Sequence, residues 1–214
     1  MKSKYFLQLI IFWSFLLVSS PAFSEDLTED EAVEFANTQG QGLINTFSES
    51  DLRKKYEKLD YLFLNYIDLD YISRFVVGKY WRQMSEEQQA LYQELFKRYS
   101  MSVYKGFPLQ FNNNIDFTVN GARKEGDQVT VVTNIDYIPQ NGRPVNFLVE
   151  FRMHKIDGVI KMTDIKVAES SLILSYRNRF YQMIRDAAED MEWFLEDFEL
   201  STQSAEKIYA LPDG

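Results

Sequence analysis

The chain has 214 residues, carries a formal net charge of −9 at pH 7 and contains no cysteine. Without cysteine it can form neither disulfides nor thiolate metal sites. Its acidity argues against nucleic acid as a partner, because that binding depends on neutralising phosphates, and against attachment to an anionic membrane surface.

The N-terminus has the layout of a secretory signal peptide. Two lysines precede an apolar run over residues 6–18, and small residues stand at the −3 and −1 positions of a cut before Glu25. The alternative is an uncleaved anchor, but a bilayer span needs roughly 20 apolar residues and this run is shorter. We therefore predict a cleaved signal peptide over residues 1–24 and a single exported domain over residues 25–214, located in the periplasm.

The first part of the exported domain is predicted to be helical. Residues 26–66 have helical character, and Thr28 with Glu31 forms a capping box, in which each residue binds an unpaired amide of the other. Gly40 and Gly42 interrupt this region and predict a bend there.

Two more helices are predicted before the chain changes character. Asp68 or Asp70 can cap a helix over residues 71–84, and Ser85 with Gln88 forms a second capping box. That box begins a long helix. Its apolar face is predicted to carry Leu91, Leu95, Tyr99 and Val103.

From residue 115 the apolar residues alternate, which is typical of strands. Hairpin signals at the Asn-Gly pair 141–142 and the Asp-Gly pair 157–158 separate four antiparallel strands, the last over residues 159–168. One face of this sheet is strongly apolar. The opposite face carries Glu150, Arg152 and His154.

The chain returns to a helical pattern from Ser171 to about residue 200. The order of elements therefore predicts an α+β fold. It has N-terminal helices, a four-stranded antiparallel meander sheet and one long C-terminal helix.

The residues that carry chemistry do not assemble into a recognisable catalytic motif. The single His154 lies on the polar face of a strand and is interpreted as an exposed surface residue. The sequence has no His pair, calcium-loop pattern, Gly-rich phosphate loop or G-x-S-x-G motif. The acidic groups over residues 186–199 are interpreted as the solvated face of the last helix.

The 13 tyrosines and 17 phenylalanines permit two interpretations. Most are expected in the core, since aromatic residues at helical spacing usually pack there. The alternative is that helices and sheet close incompletely and enclose an apolar cavity for a hydrophobic ligand. Composition leaves both open.

Two segments carry a resemblance to a known family. The first combines Gly78, the sequence Tyr-Trp-Arg at 80–82, Glu87 and Gln88 in the capped helix, and Phe96; the second covers residues 162–180. In this order and spacing they resemble the MlaC-like, or toluene-tolerance, family of periplasmic phospholipid-binding proteins, over about residues 30–200.

The chain departs from the family pattern in three places. Ile160 precedes Lys161 where the family commonly has an aromatic residue, and residues 168–171 read Ala-Glu-Ser-Ser instead of Glu-Gly-Val-Ser. The last 14 residues, 201–214, have no counterpart. These departures concern the pocket shape and partner contacts more than the fold.

The resemblance implies a carrier without catalytic residues, metal or cofactor. Such a protein shuttles phospholipid between an inner-membrane ABC transporter complex and an outer-membrane lipoprotein–porin complex, and so maintains outer-membrane lipid asymmetry. The acyl chains are then buried between sheet and helices, while the head group stays near solvent.

We expect the lipid-binding residues to come from both layers. The predicted set is Phe75, Val76, Tyr80, Leu95, Tyr99, Phe117, Val131, Phe147, Val149, Phe151, Leu172, Leu174, Tyr176, Arg177 and Phe180. Arg177 is predicted either to pair with a phosphate or to tie the last helix to the sheet through Asp164.

Three other interpretations stay open. The scaffold could bind a different apolar lipid, such as a hopanoid. It could be an enzyme whose α+β cavity holds a titratable group, with Asp164 or His154 as candidates. It could also be a protein-interaction domain with a solid core.

Overall fold

The structure is a computed structural model that describes residues 26–106, 115–138, 142–208 and 210. The predicted signal peptide, residues 1–24, lies outside the described residues. Within these ranges, no helix combines the length and the apolarity that a bilayer crossing requires.

The N-terminal half is helical, as predicted. Four α-helices and one short 3-10 helix follow one another along the chain. They are α1 (Glu29–Phe47), α2 (Leu52–Tyr66), α3 (Leu69–Val77), the 3-10 helix (Gly78–Gln83) and α4 (Glu86–Gly106).

The predicted helix caps are confirmed. Glu31 N donates to Thr28 Oγ1 at 3.2 Å, and Thr28 N donates to Glu31 Oε2 at 3.0 Å, which completes the capping box. Asp68, the first of the two predicted candidates, caps α3 by accepting from Tyr71 N at 2.9 Å. These contacts satisfy amides that the first helical turn leaves without intrahelical partners.

The predicted bend at Gly40 and Gly42 is wrong, because α1 continues through both residues and ends at Phe47. Gly40 has a packing role instead. A Cβ atom at this position would lie 2.7 Å from Cε1 of Phe117, so only glycine lets the helix approach that ring on the sheet.

The sheet is antiparallel and its strands are neighbours in chain order. The predicted four-strand meander is confirmed, with Asp157 and Gly158 at the last hairpin, whereas Asn141 lies outside the described residues. A two-residue strand is added at the edge. The strands are β1 (Ile115–Glu125), β2 (Gln128–Tyr137), β3 (Val145–Ile156), β4 (Val159–Val167) and β5 (Ser170–Ser171).

The prediction of one long C-terminal helix is wrong. Two helices, α5 (Leu172–Asp186) and α6 (Met191–Ile208), occupy this region. Ala188 and Glu189 have positive φ angles of 54° and 61°, which no right-handed helix can contain. Asp190 then starts α6 by accepting amide hydrogen bonds with its side chain.

Hydrophobic packing forms two separate groups of buried residues. The first, here called the helical core, joins α3, the 3-10 helix, α4, α5 and α6; its largest side chains are Tyr80, Tyr92, Phe96, Phe180, Phe194 and Phe198. The second, here called the sheet core, packs the beginning of the domain and α1 onto the sheet; it consists of Leu27, Ala32, Ala36, Val129, Val131 and Met153.

The chain passes between α2 and α3 at the edge of the sheet. Ile67 forms a parallel bridge with Met162 of β4, and Asp68 N donates to Met162 O at 2.9 Å. This crossing fixes the start of α3 against β4.

Candidate functional site

The apolar face of the sheet brings together the strand residues predicted to bind lipid. Strand pairing aligns Phe117, Ile135 and Phe147 in one row, and Val131, Phe151 and Ile165 in another, with the row that contains Val149 between them. Direct cross-strand partners point to the same face of a sheet. The predicted strand residues on this face are Phe117, Val131, Phe147, Val149 and Phe151.

This apolar face is only partly covered. Val131 and Val149 are buried, but Phe117, Phe147 and Phe151 keep part of their surface accessible. Aromatic rings that gain by burial and remain half-buried leave surface on which an apolar ligand can pack.

Five of the ten helix residues predicted to bind lipid are buried in the helical core. Each is at most 5% exposed, and neighbouring helices account for the burial. Tyr80 also donates a hydrogen bond to Glu189 Oε1 at 2.8 Å, which ties the 3-10 helix to the break before α6. The residues in this position are Val76, Tyr80, Leu95, Tyr99 and Phe180.

The beginning of α5 lies away from the apolar face. Leu172 and Leu174 are 48% and 51% exposed. Leu174 borders a shallow cavity of about 180 Å³, together with half-buried Phe75, and with Arg152 and Lys166 from the polar face of the sheet. The structure therefore does not bring these two leucines together with the strand residues.

Two tyrosines on the helices lie partly inside the protein. Tyr104 and Tyr176 are half-buried, and yet burial raises the pKa of each to about 12. Burial withdraws each hydroxyl from water and so disfavours the charged phenolate, which is the main cause of both shifts. Tyr176 belongs to the predicted set, and Tyr104 does not.

The sequence does not predict Tyr104 as a site residue, because it lies outside the apolar stripe of α4. Its ring instead contacts Phe63 of α2, with 5.0 Å between ring centroids. The only signal in the sequence is an aromatic residue just before the change from helix to strand pattern.

The predicted tie between Arg177 and Asp164 is wrong. Arg177 lies 4.9 Å from the centroid of the Phe75 ring and donates to the Tyr181 hydroxyl at 3.1 Å. Asp164 instead accepts from Ser171 Oγ at 2.6 Å and from Ile173 N at 3.0 Å. The beginning of α5 is therefore fastened to β4 without the arginine.

His154 is also placed differently from the prediction of an exposed surface residue. Its side chain is only 12% exposed, and its Nε2 lies 2.7 Å from Asp68 Oδ2. The pair joins β3 to the cap of α3. Among the described residues, no group of three His, Cys, Asp or Glu side chains is arranged to hold a metal ion.

A charged groove lies between α2, α4 and the end of α6, with a cavity volume of about 410 Å³. Arg98 donates to both carboxylate oxygens of Glu206 at 2.8 Å. Lys105 Nζ lies 3.0 Å from Asp60 Oδ2. The lining residues are Arg53, Tyr56, Glu57, Asp60, Arg98, Met101, Ser102, Lys105, Glu206 and Ala210.

The fold and these sites define an α+β protein whose sheet keeps a partly accessible apolar face beside a separate helical core. The chain belongs to the MlaC family, since a family model described as MlaC protein matches residues 36–198. The resemblance inferred from the sequence is thereby confirmed. No curated protein matches the chain.

Similar solved structures include the two described next. A phospholipid-binding protein from Ralstonia solanacearum, in complex with a phospholipid, has a TM-score of 0.65 and 21% identity, covering 83% of this chain and 99% of that chain. The iota-carbonic anhydrase from a cyanobacterium, complexed with bicarbonate, has a TM-score of 0.42 and 12% identity, covering 66% and 92%. The similarity to the Ralstonia protein supports the fold. The carbonic anhydrase is too distant for any conclusion about this chain.

Proposed function

We propose that the protein is a periplasmic phospholipid carrier that moves lipid between an inner-membrane ABC transporter complex and an outer-membrane lipoprotein–porin complex. Through this exchange it would maintain outer-membrane lipid asymmetry. Membership of the MlaC family supports the proposal, and so does the phospholipid bound to the Ralstonia protein of the same fold.

The observation that carries the proposal is the partly accessible apolar face of the sheet. Phe117, Phe147 and Phe151 offer ring surface there. Acyl chains need apolar surface without specific polar partners, which matches this composition.

Transfer energetics explain why such a carrier needs no catalytic group. Burying a methylene contributes about 0.8 kcal/mol, so a chain of roughly fifteen methylenes gains about 12 kcal/mol relative to water. Relative to a bilayer the gain is close to zero, because the chain already lies in hydrocarbon. The protein therefore permits the aqueous crossing, and the direction must come from its partners.

Phe147 and Leu148 provide a matched test of the apolar face. They are neighbours on β3, but Phe147 lies on the apolar face and Leu148, 40% exposed, lies on the opposite one. We expect Phe147→Glu to reduce co-purifying phospholipid at least about tenfold, because a carboxylate must lose hydration against acyl chains. Leu148→Glu should leave it unchanged.

The measurement is native mass spectrometry of protein purified without detergent, with lipid extraction and circular dichroism to confirm folding. Equal phospholipid in the two folded variants would reject the apolar face as the binding surface. A bound mass of a polycyclic lipid, such as a hopanoid, would redirect the proposal to that ligand.

A further inference from the structure

The groove between α2, α4 and α6, here called the α2–α4–α6 groove, contains charged side chains that form no ion pair within the described part of the chain. Arg98 pairs with Glu206, and Lys105 pairs with Asp60. Among the described residues, Arg53 and Glu57 line the groove without an ion-pair partner and are exposed. As far as the structure describes the chain, the groove therefore presents one guanidinium and one carboxylate without an ion-pair partner.

Asp60 contributes a second unsatisfied group. Its Oδ2 receives Lys105, but its Oδ1 is buried and has no hydrogen-bond donor among the described residues. A buried acceptor without a donor is unfavourable, because it has lost its hydrogen bonds to water. The Asp60 side chain is 31% exposed, and rotation about its soft terminal torsion can turn Oδ1 toward a donor in the groove.

The three groups share one side of α2. Residues 53, 57 and 60 follow the i, i+4, i+7 spacing, which places them along one helical face. The order along the groove is thus a cation followed by two carboxylates. A small zwitterion fits this order, with its anion at Arg53 and its cation between Glu57 and Asp60.

The cationic end must carry N–H donors. A primary ammonium offers three donors and can satisfy Asp60 Oδ1 while it neutralises Glu57. A trimethylated ammonium has no N–H and leaves that oxygen unsatisfied. The anionic end suits a phosphate, because the guanidinium fork binds two phosphate oxygens at once.

The groove also adjoins an aromatic pair on the helices. Tyr104, whose ring contacts Phe63, directly precedes Lys105 on α4, and Phe63 lies one helical turn beyond Asp60 on α2.

We propose that the α2–α4–α6 groove binds phosphoethanolamine, with the phosphate on Arg53 and the primary ammonium between Glu57 and Asp60. The bound phosphoethanolamine is either the head group of a phospholipid or part of a soluble compound. The first alternative rests on the proposed function. In the first case the groove makes the carrier discriminate between head groups.

The first experiment measures head-group selection. The purified protein is incubated with vesicles of equal parts phosphatidylethanolamine and phosphatidylcholine with identical acyl chains, and bound lipid is quantified by mass spectrometry. We expect phosphatidylethanolamine to be enriched at least about threefold, the value of one added hydrogen bond. Glu57→Gln and Asp60→Asn should abolish the enrichment.

Glu57→Gln guards against misfolding, because this exposed side chain has no ion-pair partner among the described residues. Glu196→Gln is the matched control, since this exposed carboxylate of α6 does not line the groove and should keep the enrichment. The second experiment titrates glycerophosphoethanolamine, with glycerophosphocholine as control, into the protein and follows its NMR spectrum.

The outcomes separate the two proposals. Bound lipid that mirrors the vesicles, together with no spectral change at residues 53–60, overturns phosphoethanolamine binding but leaves the carrier intact. If no lipid is taken up, the carrier proposal fails, and the titration alone decides the groove. Changes at residues 53–60 with glycerophosphoethanolamine only would establish the soluble source.

Discussion

Gly40 and Gly42 show how one residue type serves two different purposes within a single helix. A Cβ atom at Gly40 would meet the Phe117 ring at 2.7 Å, whereas nothing lies within 4 Å of one at Gly42. We expect Gly40→Ala to lower the free energy of unfolding by about 1–3 kcal/mol through overpacking. Gly42→Ala should raise it by up to about 1 kcal/mol through helix propensity.

Urea denaturation of the two variants beside the unmodified protein measures both effects. Shifts in the same direction would contradict the assigned role of Gly40, since propensity alone acts equally at both positions.

Individual residues also show which contacts can be predicted from the sequence and which cannot. The caps at Thr28 and Asp68 were predictable because a capping contact joins residues a few positions apart. The pairing of His154 with Asp68 spans 86 residues, and no local pattern encodes it. The contact of Arg177 with Phe75 is also remote in sequence, so the sequence leaves Arg177 with two alternatives, a phosphate or Asp164.

At the scale of elements, α1 is fastened to the sheet by a titratable contact. Lys155 Nζ of β3 lies 2.6 Å from Glu31 Oε1, and this bond, with those of the Thr28 cap, lowers the pKa of Glu31 from 4.5 to about 2. A lowered folded-state pKa contributes stability above the unfolded value, and the contribution is lost as the pH falls toward the folded value.

Glu31→Gln should therefore lower the urea midpoint at about pH 6, and the difference from the unmodified protein should shrink between about pH 4.5 and pH 2. Glu34→Gln is the control, because this exposed carboxylate of α1 makes no ion pair among the described residues. A difference independent of pH would show that the Lys155 contact does not fasten α1.

Element type and order were predictable from periodicity, but the division of the C-terminal helix was not. The apolar stripe continues from Phe180 to Phe198 across the break, so hydrophobic spacing alone favours one helix. The break depends on Ala188 and Glu189, two residues with no glycine-like signal, which adopt positive φ angles in the folded chain. A hydrogen bond from Tyr80 to Glu189 helps to hold this conformation.

At the scale of the whole molecule, the carrier proposal makes a thermodynamic prediction. Since transfer from bilayer to protein is close to neutral, the isolated protein should equalise lipid between two vesicle populations and never concentrate it. A fluorescent phospholipid in donor vesicles should reach a plateau set by the relative amounts of donor and acceptor membrane. Accumulation in either population beyond that ratio would contradict the proposal.

The apolar face of the sheet was predictable because alternation assigns its residues directly, and all five predicted strand residues share it. The helix residues were harder to assign. A helix residue buried in a core and one that lines a cavity show the same apolar spacing in the sequence. Only the packing of α4, α5 and α6 in the structure distinguishes the two roles.

The crossing at Ile67 has a consequence for how copies of this protein behave when they are crowded. Ile67 forms a bridge with Met162 on the outer edge of β4, and β5 pairs with the same edge further along the strand. The opposite margin, β1, is kinked by a bulge next to Gly121 and bears Arg123 and Lys124. Neither edge of the sheet therefore presents a straight, uncharged strand with which another molecule could pair. This protects the protein against edge-to-edge association into fibrils.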